Sequence, residues 1–505
     1  MTIHHIALLI GLFIVPLVAL AIGFKFRKRT PRTRAIFWGA VIGHTIATII
    51  ASVAAIWPPR VPGPEDAARG ALILWTLLAG GVVGALIALL RDTMRGREPA
   101  AAMLVLLGAA AATAGVAGAC ASESPAVPIG ALRPLDAPAA PGSREPNLAV
   151  GDDGTLFMTW TEPAADSGWM LRIATLTGGE WSPAETVVAG RPFFINWADF
   201  PSVIPLDDDR LAVHWLERSA GGTYEYDVRI AQSLDGGRTW SEDVVPHRDG
   251  TRSEHGFVTM YDAGQALLGA VWLDGRKFAD STAPREMILA HTTLAADGSL
   301  GAEQVLDDRI CECCQTSGAI TDDGPVIVYR DRSPEEIRDI AIVRFMNGRW
   351  AEPRRVHEDE WHVEHCPVNG PAVAARGRDV VVAWFTGARD TARVNVAFSN
   401  DAGATFSVPV RVDGGMPLGR VDVEILDDGW AAVTWLEQTE ERDAEVRLRA
   451  VGPDGTAGDH VSLGTTSGAR ASGFPRMARQ GNRLVFAWTV PGEPSTIRVA
   501  TAELR

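Results

Sequence analysis

The sequence predicts an all-β ring, a propeller of seven four-stranded blades, preceded by a strongly apolar amino-terminal region. Three observations predict it. First, a short unit recurs seven times: apolar alternation, a turn with Gly or Asp, then a second alternating run that ends in an aromatic residue. Second, those aromatics (Trp160, Trp215, Trp272, Tyr329, Trp384, Trp435 and Trp488) follow one another at spacings of 55, 57, 57, 55, 51 and 53 residues. Period-two alternation marks strands, and a repeat near this length is what one four-stranded blade requires, about 40–50 residues. Third, composition changes sharply: residues 1 to about 119 are rich in Ala, Leu, Ile and Val, and those from about 139 onward are polar, acidic and Trp-rich.

A chain of 505 residues is too long for one ordinary core, so at least two domains are expected. Residues 1–99 carry apolar runs at 5–24, 35–56 and 71–90, each long enough to cross ~30 Å of hydrocarbon as a helix. Lys25, Arg27, Lys28, Arg29, Arg32 and Arg34 between the first two, and Arg91, Arg95 and Arg97 after the third, place those loops in the cytoplasm. A fourth run, 100–119, reads as another spanning helix or as a lipoprotein-like signal segment ending at Cys120, with Ala117 where a larger apolar residue is usual. Either way the expectation is an integral membrane protein, in a bacterial inner membrane, with the propeller on the periplasmic or extracellular side. His44, mid-span in the second run, reads as a packed neutral imidazole or as a functional group. Residues 121–143 read as a linker, interrupted by an apolar segment at 131–135.

The ring is expected over 144–505. Each repeat continues into a third strand, at 170–175, 226–233, 287–292, 339–345, 392–399, 445–450 and 496–501, and then a short fourth. The seventh copy ends just past its third strand, and the segment at 131–135 is expected to supply the missing one, which removes the open sheet edge. The net charge of −15 excludes a nucleic-acid partner, because phosphate binding needs a basic face.

Two turns between third and fourth strands share a motif. One is Ser233-Leu-Asp235-Gly-Gly237-Arg-Thr239-Trp240, the other Ser399-Asn-Asp401-Ala-Gly403-Ala-Thr405-Phe406. The Asp accepts turn N–H bonds, Gly supplies positive φ and the aromatic packs into the blade. The motif resembles the Asp-box, or bacterial neuraminidase repeat, of the sialidase-like superfamily, over about 145–505. That resemblance implies a propeller with its active face opposite the boxes. For sialidases it further implies an arginine triad for the substrate carboxylate, a Tyr nucleophile paired with Glu, and an acid/base Asp. Arg276, Arg330 and Arg389, from three consecutive repeats, are the candidate clamp. Tyr226 with Glu225 is the candidate nucleophile pair, and Asp331, like Asp274, a candidate acid. The early Arg-Ile-Pro motif of that family is absent, and seven repeats replace the usual six. The recurrent carboxylates Glu162, Glu217, Asp274 and Glu437 read equally as strand-end caps.

Four of the five cysteines cluster: Cys311, Cys313, Cys314 and Cys366, with His365 beside the last. The loops that carry them, between the fourth strand of one repeat and the first of the next, should meet on the active face. Two readings stay open. Thiolates and imidazole suit zinc or copper; oxidised, Cys314–Cys366 would staple neighbouring blades. The functional expectation is a sialidase-like glycoside hydrolase or glycan binder acting at the channel mouth. The alternative is a non-catalytic binding or assembly module with a metal or disulfide site on its rim.

Overall fold

The computed structural model describes residues 129–505 except 166–167, 208, 281, 283–284 and 440–442. They belong to one compact unit, Ser124–Arg505, built from seven antiparallel sheets. Blade 1 is formed by Arg144–Val150, Leu156–Pro163 and Trp169–Thr177, with Glu180–Trp181 and Glu185–Ala189 both on the third strand. Blade 2 is the three strands Ser202–Pro205, Leu211–Arg218 and Tyr226–Ser233, with a bridge from Ile230 to Val244 in place of a fourth. Blade 3 runs from His255–Gly264 to Gln304–Ile310, and blade 4 from Ser317–Thr321 to Arg354–Arg355. Blade 5 runs from Ala372–Arg376 to Val410–Arg411, and blade 6 from Pro417–Ile425 to Val461–Ser467. Blade 7 joins Arg476–Gln480, Arg483–Val490 and Thr496–Leu504 to Ile129–Leu135, which pairs with the last strand from Ile129↔Leu504 to Leu135↔Val499.

The aromatic repeat has a packing cause. Seven buried apolar clusters occur, one at each junction of consecutive blades, including blade 7 with blade 1. Each repeat aromatic fills the junction with the preceding blade: Trp272 lies with Leu216 and Val228, and Trp160 with Val485 and Ile497. A side chain this large spans the gap between twisted sheets that aliphatic residues alone leave open.

One expectation is corrected here. Over the described residues the fold class is an all-β propeller alone, and the transmembrane helices expected before it are not found there. Among the described residues the only helical segments are the short 3-10 turns Arg276–Ala279, Ala388–Asp390 and Arg470–Ser472, and no helix is long and apolar enough to cross a membrane. The expected integral-membrane placement has no support among the described residues. The runs at 5–24, 35–56, 71–90 and 100–119, with His44 and Cys120, lie outside the described residues.

Candidate functional site at the mouth of the ring

The recurrent carboxylates two residues after the repeat Trp have a structural use. The Trp indole N–H, buried at the blade junction, must find an acceptor. Trp160 donates to Glu162 at 3.0 Å, Trp215 to Glu217 at 2.8 Å, Trp272 to Asp274 at 2.9 Å and Trp435 to Glu437 at 2.6 Å. Period-two geometry puts residues i and i+2 on one strand face, so a Trp-x-acid pattern meets this need within one strand.

The three candidate arginines have separate settings. Arg276 is neutralised by Asp274 at 2.6 Å and Glu303 at 2.7 Å. Arg330 is fully buried. It donates to the backbone carbonyls of Asn369, Arg338 and Phe385 at 2.9, 2.6 and 2.7 Å, and its guanidinium lies 4.8 Å from the Trp361 ring. It ties three segments together and has no fork left for a ligand. Arg389 is exposed at φ 58° and borders a cleft with His357, Asp359 and Arg411, to which neither of the others belongs. Asp331 is held up at about 6 by burial and by the neighbouring Asp307.

Tyr226 is central, but with different partners. Glu225 turns away and accepts from the Gly222 N–H at 2.6 Å. The Tyr226 hydroxyl instead lies 2.9 Å from Asp199 and 2.9 Å from Glu254, which come from the loops entering blades 2 and 3. Phe194 stacks on the phenol at 3.9 Å, and Asp199 also accepts from the Phe257 N–H at 2.7 Å. Gly256 makes the approach feasible: a Cβ there would stand 2.0 Å from an Asp199 oxygen and 2.8 Å from the Tyr226 ring. A phenol carries one proton, so two such contacts need a second proton, on a carboxyl. Burial supplies it. It raises Asp199 to about 8, and with repulsion from Glu312 it raises half-buried Glu254 to about 7. Glu145, nearby at the start of blade 1, is likewise raised by burial to about 8.

Beside this cluster lies a cleft of about 440 Å³ lined by Arg144, Asn196, Trp197, Tyr224 and Arg470, with Phe194 and Glu145. Neither Arg144 nor Arg470 has a carboxylate within ion-pairing distance among the described residues, and Tyr224 is 58% exposed. Arg420, buried, packs its guanidinium 4.7 Å from the Trp197 ring and fixes it. Glu145 and Arg420 stand on the first strands of blades 1 and 6, Asp199, Glu254 and Glu312 in the loops entering blades 2, 3 and 4, and Arg470 in the loop entering blade 7.

The cysteines meet in a different pairing from the expected one. Cys313, not Cys314, forms the disulfide with Cys366, so the loops entering blades 4 and 5 are joined. Cys311 and Cys314 are free, fully buried, with sulfurs 3.1 Å apart. The sulfurs of Cys311, Cys313 and Cys314 lie within 4.8 Å of one another; His365 is exposed and outside that group. Arg338, buried, places a guanidinium nitrogen 3.4 Å from the Cys311 sulfur. Against the opposing cost of burial, the Cys314 contact and the charges of Arg338 and Arg330 bring the Cys311 thiol down to about 7, whereas burial drives Cys314 up.

A second cluster, Asp227, His247, Asp249, His255 and Asp274, groups ligand-type atoms between blades 2 and 3. His255 bonds Asp249 at 2.9 Å, but the two imidazoles are stacked 3.7 Å apart at 2°. In-plane lone pairs on parallel rings do not converge on one ion.

In the two boxes, Asp235 accepts from the Thr239 N–H at 2.8 Å and Asp401 from the Thr405 N–H at 2.9 Å, while the Ser233 and Ser399 hydroxyls accept from the Gly237 and Gly403 N–H groups. Gly237 and Gly403 take φ of 91° and 77°. Trp240 and Phe406 pack at the edges of the apolar clusters. The boxes lie at the far end from the mouth, on turns of the opposite type.

The sequence matches no family model and no curated protein. Solved structures similar in fold include the BP39L lectin of Burkholderia pseudomallei, at 12% identity and TM-score 0.52, covering 72% of this chain and 97% of that one. A protein of unknown function from Dyadobacter fermentans, at 15% identity and TM-score 0.46, covers 75% and 100%. The Hadza microbial sialidase Hz136, at 15% identity and TM-score 0.36, covers 58% and 63%. The likeness to the lectin supports the all-β propeller fold, whose seven sheets are those described above.

Proposed function

We propose that this propeller acts on glycans that carry a carboxylate, as a glycoside hydrolase at the mouth of the ring. The observation that carries the reading is the Tyr226 hydroxyl shared by Asp199 and Glu254, with Glu254 half-buried and raised to about 7. A carboxyl poised at that value gives a proton to a leaving oxygen near neutral pH and takes one from water afterwards. Glu254 is the acid/base in this reading; buried Tyr226 and Asp199 are positioning residues that hold its proton. Arg144 and Arg470, with no carboxylate at ion-pairing distance among the described residues, anchor the substrate carboxylate, and Trp197 and Tyr224 stack on the sugar face. In this reading the anchors come from blades 1 and 7 rather than from Arg276, Arg330 and Arg389.

The test is a panel of fluorogenic sialosides, uronides and neutral glycosides, with a glycan array alongside. Turnover confined to acidic glycosides, with KM raised about 10–100-fold by Arg144→Ala or Arg470→Ala, supports the reading, since each charged hydrogen bond contributes about 1.5–3 kcal/mol. Binding to acidic glycans without turnover favours a lectin role for the same cleft. Neither turnover nor binding removes the glycan assignment.

A further inference from the structure

The four clustered cysteines carry a second activity that is independent of the glycan reading. We propose that they form a thiol–disulfide exchange relay, in which the rim disulfide Cys313–Cys366 trades places with the buried dithiol Cys311/Cys314. Three features support it. The dithiol is a Cys-x-x-Cys pair with its sulfurs already 3.1 Å apart. Cys311 lies within 4.8 Å of the Cys313 sulfur, so an attacking thiol and a target disulfide are adjacent inside one loop. Arg338 places its guanidinium 3.4 Å from the Cys311 sulfur, which stabilises the thiolate that must attack.

The bookkeeping of bonds closes without an outside oxidant. The Cys311 thiolate attacks the Cys313 sulfur; the S–S bond to Cys366 breaks, and its electron pair and a proton end on Cys366. Cys314 then attacks the Cys311 sulfur; a Cys311–Cys314 bond forms, and Cys313 leaves as a thiol carrying the proton that Cys314 lost. One disulfide and two thiols are present before and after. Buried Cys311 and Cys314 are closed to external reagents, whereas Cys366 is exposed. Small thiols and disulfides of the glutathione class therefore enter through Cys366, and the relay carries the exchange inward. The outcome also acts on the mouth. With the bond moved inward, the loop entering blade 5 is released from the loop that holds Glu312, the carboxylate that raises Glu254.

The experiment uses the full chain equilibrated in buffers of graded reduced and oxidised glutathione, acid-quenched, alkylated and digested with trypsin without reduction. Cleavage at Arg309 and Arg330 puts Cys311, Cys313 and Cys314 on one peptide, and Cys366 falls on another, so the two isomers differ by a crosslink. The relay predicts that, wherever one disulfide per chain remains, an internally oxidised 310–330 peptide with Cys366 alkylated is recovered beside the Cys313–Cys366 crosslink, in a ratio that does not change with the glutathione ratio because the exchange consumes no electrons. Cys366→Ser should hold only the Cys311–Cys314 disulfide. Arg338→Gln should slow exchange about tenfold and move its pH dependence upward, and Arg338→Lys should restore most of the rate. A crosslink that stays Cys313–Cys366 in every buffer until full reduction overturns the proposal. So does a reduced protein holding one equivalent of zinc or copper that protects all four thiols.

Discussion

The two ends of the ring use the same side chain in opposite ways. At the box end, Asp235 and Asp401 sit at the surface, accept hydrogen bonds within their own turns and are held down at about 2. At the mouth, Asp199 and Glu254 accept few such bonds, are desolvated and rise to about 8 and 7. Local N–H donors favour the charged form, and burial disfavours it. A carboxylate fixed as an anion caps a turn; one that carries a proton at neutral pH can give it away. The difference separates architecture from candidate chemistry more sharply than position in the fold does.

The largest expected effect tests which buried groups are structural. Arg330→Ala removes a cation that satisfies three carbonyls from three segments, and should cost about 3–5 kcal/mol, read by chemical or thermal unfolding. Loss of glycoside turnover with the unfolding midpoint unchanged would instead make Arg330 a ligand clamp.

Next is the pH dependence of stability. Asp199, Glu145 and Glu424, each raised to about 8 by burial, bind protons more tightly in the folded than in the unfolded state. Their contribution is complete below the unfolded carboxylate range, near pH 4, and is lost as pH rises toward 8. The box aspartates run the other way: their contribution is present above that range and is lost as pH falls toward 2. Thermal melts should therefore peak at mildly acidic pH and decline through neutrality. A midpoint still rising between pH 5 and 8 would contradict the buried-acid assignment. The smallest effect is expected at the boxes, where Asp235→Ala should lower the melting temperature modestly and leave any activity at the mouth unchanged.

The ring was legible because its signal is repeated: one large aromatic per blade junction, at near-constant spacing, survives the drift of everything around it. The site was legible only in part. Tyr226 was identifiable, but its partner Glu254 lies in the next blade, while adjacent Glu225 points away as strand geometry demands. Trp272-x-Asp274 and its equivalents held a readable clue, since an acid two residues from a buried indole is its natural acceptor. Arg144 and Arg470 belong to no sequence pattern that marks an anion site, and only their place on one cleft singles them out. Of the two adjacent cysteines, only the coordinates distinguish Cys313 as the partner of Cys366. The apolar amino-terminal runs gave a clear sequence signal, yet the architecture established here is the β-ring alone.

The most direct test of the central claim is the pH profile of kcat/KM for a carboxylate-bearing fluorogenic glycoside, measured for the native chain and for Glu254→Gln. An alkaline limb near pH 7, where Glu254 loses its proton, is expected for the native chain, with a fall of about 10²–10⁴-fold in the variant and its melting temperature preserved. A Glu254→Gln protein that turns over substrate as fast as the native chain, with the same alkaline limb, would contradict it.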